Sequence, residues 1–247
     1  VRLLSQRVRL VDLVIIGSHC PGVSLISEIA GLSAKIVNAG SLMGWFAIKR
    51  GEADIAGTHL LHEQTLEYNK PFIEVYGLHK TAVLIRGYSR MQGFIVKKGN
   101  PKNIYSFKDL LREDVVFINR NKGSGTRVLI DRNLSTTIPI NEAALKIRGY
   151  NREAKTHSAV AAAVAQGRAD VGVGVEAWAY AYDLDFIPLA EERFDFLIPV
   201  AKLHKDAVKK FIETLSSKRF ADELQRSFKG YRVDKDAGSI IYSPTER

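Results

Sequence analysis

Two segments set 116 positions apart constrain this fold more than any other feature of the chain. MGWFAIKRGEADIAG at 43–57 and AVAAAVAQGRADVGV at 159–173 share the pattern A-x3-G-x-A-D. Ala47 answers Ala163, Gly51 answers Gly167, Ala53 answers Ala169 and Asp54 answers Asp170. Each segment reads as a helix, a glycine stop and a strand. Two readings follow: two similarly built units, or one common helix-to-strand turn used twice.

The flanking sequence is of the same kind. Leu10–Gly17 is a β-branched run ending in glycine, the mark of a buried parallel strand. Val23–Gly31 reads as a helix, Ala34–Asn38 as a strand, Ser41–Arg50 as a helix with Ser41 as N-cap, and Asp54–Gly57 as a strand. This βαβαβ order implies parallel strands covered by helices. The later part repeats it, with strands at Val115–Asn119 and Asp170–Val175 and helices at Gly125–Asn133 and Ser158–Gln166. Val83–Lys98 and Arg193–Val200 are extended and suit two crossings between lobes. The expected arrangement is α/β and two-lobed. Residues 10–88 plus 195–247 form lobe 1, 92–190 form lobe 2, and each lobe carries its own sheet. Asp206–Ser227 supplies two helices that return to lobe 1, and residues 1–9 read as the tail of a preceding linker. Two crossings make a hinge, and a hinge between such lobes makes a ligand cleft.

Composition removes several alternatives. A single cysteine, Cys20, excludes an intrachain disulfide framework and a multi-cysteine zinc site. No apolar run approaches the roughly 20 residues of a membrane helix, and no secretory signal is visible, so a cytoplasmic location is expected. The net charge of +9 is concentrated between residues 86 and 133, which carry 11 basic and 4 acidic groups. Lys and Arg are scattered there without a basic, aromatic-laced helix, so direct nucleic-acid binding is not expected; a solvated face or an anionic ligand fits better.

In open α/β sheets ligands sit beyond the carboxyl ends of the strands. The candidates there are Ser18 and His19 after the first strand, Ser41 at a helix start, and Thr58 and His59 after the third strand. In the later unit they are Arg120, Ser124, Gly125, Thr126 and Arg127 of NRNKGSGTR, then His157, Gly174 and Glu176. Hydroxyls and glycines at helix N-termini suit an anion, because backbone N–H groups point outward there. Plain N-capping competes for the serines, and a charged turn competes for NRNKGSGTR. Enzyme readings are weaker. G-x-x-x-x-G-K-[ST] is absent, and no orienting acid accompanies Cys20 and His59 as nucleophile and base. His59, His62 and Glu63 are loosely spaced for a metal. Trp45 and Trp178 read as packing residues. No catalytic residue, metal or cofactor is therefore assigned.

Several motifs together resemble a known family. They are IIGSHCPGVSLI at 15–26, GSLMGWFAIKRGEADIAGTHLL at 40–61, EYNKPF at 67–72, FINRNKGSGTRVLIDRNL at 117–134, GYNREAKTHSAVAAAVAQGRADVGVG at 149–174 and LDFIPLAEERFDFLIP at 184–199. The chain resembles the periplasmic-binding-protein-like domain related to type II solute receptors. Two departures stand near the expected cleft: Cys20, where the family usually has Asp after Gly-Ser-His, and His62, where Asp is commoner. The resemblance implies a Venus-flytrap fold that binds a small ligand and catalyses nothing. It implies an oxyanion such as molybdate or tungstate, and fusion to a molybdopterin-biosynthesis or helix-turn-helix DNA-binding region. A sensor linked to molybdenum-cofactor metabolism is the expected function. A transporter's solute receptor and a binder of a small organic anion are the alternatives.

Overall fold

The computed structural model describes residues 11–244; the expected linker at 1–9 lies outside the described residues. In chain order the elements are β1 (Leu13–Gly17), α1 (Pro21–Ile29), β2 (Ala34–Asn38), α2 (Ser41–Lys49), β3 (Ala56–Thr58), α3 (Phe72–Val75), β4 (Ala82–Val96), β5 (Phe117–Arg120), α4 (Gly125–Ser135) and α5 (Ala143–Lys146). There follow β6 (Glu153–Ala154), α6 (His157–Ala165), β7 (Val171–Val175), α7 (Glu176–Ala181), β8 (Asp185–Pro199), α8 (Asp206–Leu215), α9 (Lys218–Ser227), β9 (Tyr231–Arg232) and β10 (Ile240–Tyr242).

The 116-residue recurrence is a structural repeat. Gly51 and Gly167 both stop their helices with positive φ, 74° and 72°, a conformation that costs glycine little. Asp54 N–H donates to Val14 O at 2.8 Å, and Asp170 N–H donates to Val116 O at the same distance. Each aspartate then accepts the N–H of that same valine, at 2.9 Å for Asp54 and 2.8 Å for Asp170. The recurring Asp therefore locks the returning strand to the first strand of its unit.

The first crossing falls where the sequence suggests, and the second begins at Asp185 rather than Arg193, eight residues earlier than expected. β4 and β8 are 15 residues each and pair antiparallel from Ala82↔Pro199 to Val96↔Asp185. The ladder is irregular between Ile85 and Tyr88 and between Gln92 and Gly93. Because the crossings pair with each other, strand pairing continues through both halves in the order β3-β8-β4-β7-β5-β6. The expectation of a separate sheet per lobe is corrected on this point. β1 and β2 pair parallel as a separate two-stranded sheet, with one isolated bridge from Ile15 to Ile55, the residue before β3.

The lobes are instead distinguished by their cores. One cluster packs β1, α1, α8 and α9 around Phe194, Phe196, Phe211 and Phe220, and another packs α2 and α3 around Trp45 and Leu197. The far half has its own clusters, around Phe94, Phe117 and Ile130 and around Val160 and Val164. The result is a two-lobed α/β fold. No helix among the described residues is long and apolar enough to cross a membrane.

Candidate functional site

The loops at the carboxyl ends of β1, β3, β5 and β7 meet between the lobes. On the first lobe, Ser18 Oγ lies 2.8 Å from Ser41 Oγ, and Ser41 Oγ accepts the His59 N–H at 3.0 Å. The sequence suggests Ser41 as a helix cap; in the structure Gly40 holds that position and Ser41 is the first helical residue. Its hydroxyl instead ties the loop after β1 to the loop after β3. Thr58 is spent on packing: it accepts from Trp45 Nε1 at 2.9 Å and donates to Asn69 Oδ1 at 3.1 Å.

On the second lobe, His157 opens α6 as Ser41 opens α2, which is where the 116-residue offset places it. Arg120 ends β5 and is buried beside it. Arg120 Nε donates to Ala154 O and Nη2 to Lys155 O, both at 3.1 Å, and Nη1 lies 3.0 Å from His157 Nδ1. Salt bridges among the described residues do not include Arg120. Burial, with the Arg90 charge adding to it against Glu192, pulls its pKa down to about 10, so it stays cationic at neutral pH. Burial, then Arg120, holds His157 well below its ordinary value, and it is neutral.

The Gly-Ser-Gly loop divides into working and structural parts. Ser124 caps α4 by accepting the Arg127 N–H at 3.2 Å and donates to Asn121 O at 2.9 Å. Arg127 is held by Asp131 at 2.7 Å, Glu153 at 3.0 Å and the Tyr150 hydroxyl at 2.9 Å. Ser124, read from sequence as an anion ligand, serves as the helix cap; of Arg120 and Arg127, of which at most one is expected to touch a ligand, Arg127 is the one held by carboxylates. Thr126 is fully buried and its hydroxyl has no partner among the described residues. At Gly125 a Cβ would stand 2.6 Å from the His59 carbonyl oxygen. A glycine is what lets α4 press its N-terminus against the opposite lobe.

The floor of the cleft lies on the crossings. Glu192 of β8 is fully buried, ion-paired to Arg90 of β4, 2.7 Å from Gln92 Nε2 and 3.0 Å from His59 Nδ1. Burial raises its pKa, but Arg90 and His59 outweigh that and hold it at about 2. His59 goes the other way: burial exceeds the pull of Glu192 and lowers it. His19, lowered by burial and then Arg90, lies 5.7 Å from the Trp178 ring, so Trp178 borders the cluster as well as packing its helix. Gly174 backs the histidines; a Cβ there would stand 3.7 Å from His157 Nδ1. Glu176 packs against Gly230.

The sequence reading missed Arg90, Gln92 and Glu192. Their signal is polar residues set inside two otherwise apolar extended runs that cross between lobes. The alternative pairing of Cys20 with His59 is not assembled: Cys20 Sγ is buried 3.0 Å from the Tyr88 hydroxyl, while His59 faces Glu192. His62 turns to Thr65 at the surface.

Residues 24–216 match the model of the PBP superfamily domain. The chain belongs to that superfamily. Over 202 residues, 82% of this chain, the superfamily member is 37% identical to YvgK of Bacillus subtilis, described as uncharacterized; the match spans 63% of YvgK's length. A putative phosphate ABC transporter substrate-binding protein from Clostridium perfringens, with bound phosphate, superposes with a TM-score of 0.67 at 15% identity, covering 90% of this chain and 99% of that one. The sulfate-binding protein SubI from Mycobacterium tuberculosis gives 0.66 at 17% identity, covering 91% and 87%. These two likenesses are of fold. One consequence of the PBP-domain geometry is testable by itself. Gly125→Ala holds the lobes apart by steric contact with His59, so scattering reports a larger radius of gyration while the melting temperature changes little. An unchanged radius would show that the close approach does not govern closure.

Proposed function

We propose that this PBP-superfamily domain reversibly binds a small anion between its lobes and performs no chemistry on it. The single observation that carries the reading is Arg120: a buried guanidinium beside His157 with no carboxylate partner in hydrogen-bond reach among the described residues; the Thr126 hydroxyl at the start of α4 is unpartnered as well. A buried charge needs a counter-charge, and a helix N-terminus with N–H groups facing outward supplies further donors to an anion. Phosphate and sulfate, named for the two structural neighbours, are anions of this class. Molybdate and tungstate belong to it too. They carry the finer form of the reading, a cytoplasmic sensor tied to molybdenum-cofactor metabolism or its regulation, fused to a DNA-binding or molybdopterin-biosynthesis region. That finer form rests on the family resemblance. The neighbours favour a second reading at the level of role, a solute receptor handing its ligand to a transporter.

Native mass spectrometry of the purified domain, followed by calorimetry with molybdate, tungstate, sulfate and phosphate, tests the reading. Binding below millimolar concentration, with a fall in radius of gyration on adding ligand, supports it. If no small anion binds, the reading fails.

A further inference from the structure

The cleft specifies more than the sign of its ligand. Arg90 and Glu192 form a fully buried ion pair, so together they add no net charge. Arg127 pairs with two carboxylates, Asp131 and Glu153, which are part-exposed to solvent, so it adds no uncompensated positive charge to the buried cluster. Arg120 is left as the cation of this cluster without a counter-ion among the described residues. One negative charge balances it; a second would be buried in excess, which is costly in a low-dielectric site.

A separate observation concerns hydrogen-bond polarity. Gln92 is fully buried, and its amide orientation is fixed because Nε2 donates to Glu192 Oε2, a carboxylate oxygen that can only accept. Gln92 Oε1 is therefore an acceptor, and it has no partner among the described residues. Asn121, in the loop between Arg120 and α4, repeats the pattern. Its Nδ2 donates to Lys122 O at 3.2 Å and its Oδ1 is unpartnered. Buried polar atoms left unpaired are expensive: Arg90 Nε, also unpartnered among the described residues, asks the ligand for an acceptor, and the two amide oxygens ask it for donors. Sulfate and molybdate bring none.

We propose that the cleft selects a singly charged anion that also carries hydroxyl donors, a dihydrogen oxyanion or a small hydroxy-carboxylate, over a dianion of the sulfate or molybdate kind. This rests on the small-anion reading, narrows it, and stands against its molybdate or tungstate form. The test is calorimetry at about pH 6 and constant ionic strength, with glycolate, acetate, phosphate, sulfate and molybdate as probes. Glycolate differs from acetate by one hydroxyl, and phosphate is then largely its dihydrogen form. Glycolate or phosphate is expected to bind about 10-fold or more tighter than acetate, sulfate and molybdate; which of the two binds separates the organic source from the inorganic one. In Gln92→Leu the preference for the hydroxyl-bearing probe is expected to shrink several-fold. Should that variant not fold, the wild-type ranking decides alone. Sulfate or molybdate binding as tightly as glycolate and phosphate overturns the proposal and leaves the small-anion reading standing. No binding by any of the five overturns both.

Discussion

Replacing Arg120 with Met is expected to weaken anion binding about 100-fold or more and to leave the ligand-free fold standing. A guanidinium offers an anion two parallel hydrogen bonds, and hydrogen bonds to charged groups contribute about 1.5–3 kcal/mol each. Losing two of them exceeds two decades in affinity, since about 1.4 kcal/mol is a factor of ten. Stability responds much less. Arg120 is buried, its pKa is pulled down to about 10, and it has no ion pair among the described residues. Exchanging such a cation for an apolar chain of similar length recovers its desolvation but leaves Ala154 O and Lys155 O without their donor, so the net loss is small, about 1–3 kcal/mol. Calorimetry and thermal denaturation on the same sample check both halves. Unchanged affinity would remove Arg120 from the site. A collapse in melting temperature would make it a structural residue.

Arg120 and Arg127 show how far the sequence could be read. Both flank the same Gly-Ser-Gly turn, and residue type alone gives them equal claim to a ligand. The difference lies in partners from other elements: Arg127 meets Glu153 and Tyr150, whereas Arg120 meets two carbonyls and a neutral histidine. The repeated A-x3-G-x-A-D unit was legible because it is local: helix stop, turn and strand-locking Asp lie within a few positions of one another. The helices at Asp206–Leu215 and Lys218–Ser227 were legible for the same reason, through their amphipathic spacing. The floor of the cleft was not. Arg90 and Glu192 stand 102 residues apart, and nothing near either one shows that the two crossings pair with each other. That same pairing runs one eight-stranded sheet through both halves, while β1 and β2 keep a sheet of their own.

Glu192 carries the largest expected effect on stability. Its carboxylate is the counter-ion of buried Arg90 and also accepts from Gln92. Glu192→Gln keeps the shape and removes the charge, leaving Arg90 buried and unpaired, which costs about 3–5 kcal/mol. The pH dependence has a definite sign. The folded-state pKa is about 2, below the ordinary 4.5 of an unfolded-chain glutamate. A carboxyl depressed on folding stabilises above its unfolded pKa, and the contribution is lost as pH falls toward the folded value. Its full size, on the order of 3 kcal/mol, is therefore present at neutral pH and lost between about pH 4.5 and 2. Denaturant titrations of wild type and Glu192→Gln at about pH 7 and pH 3 measure the gap directly. The gap is expected to be large at pH 7 and smaller at pH 3, because only the wild type gives up this ionisation. A gap of equal size at both values would mean that the Glu192 charge does not hold the crossings together, and that its packing alone does.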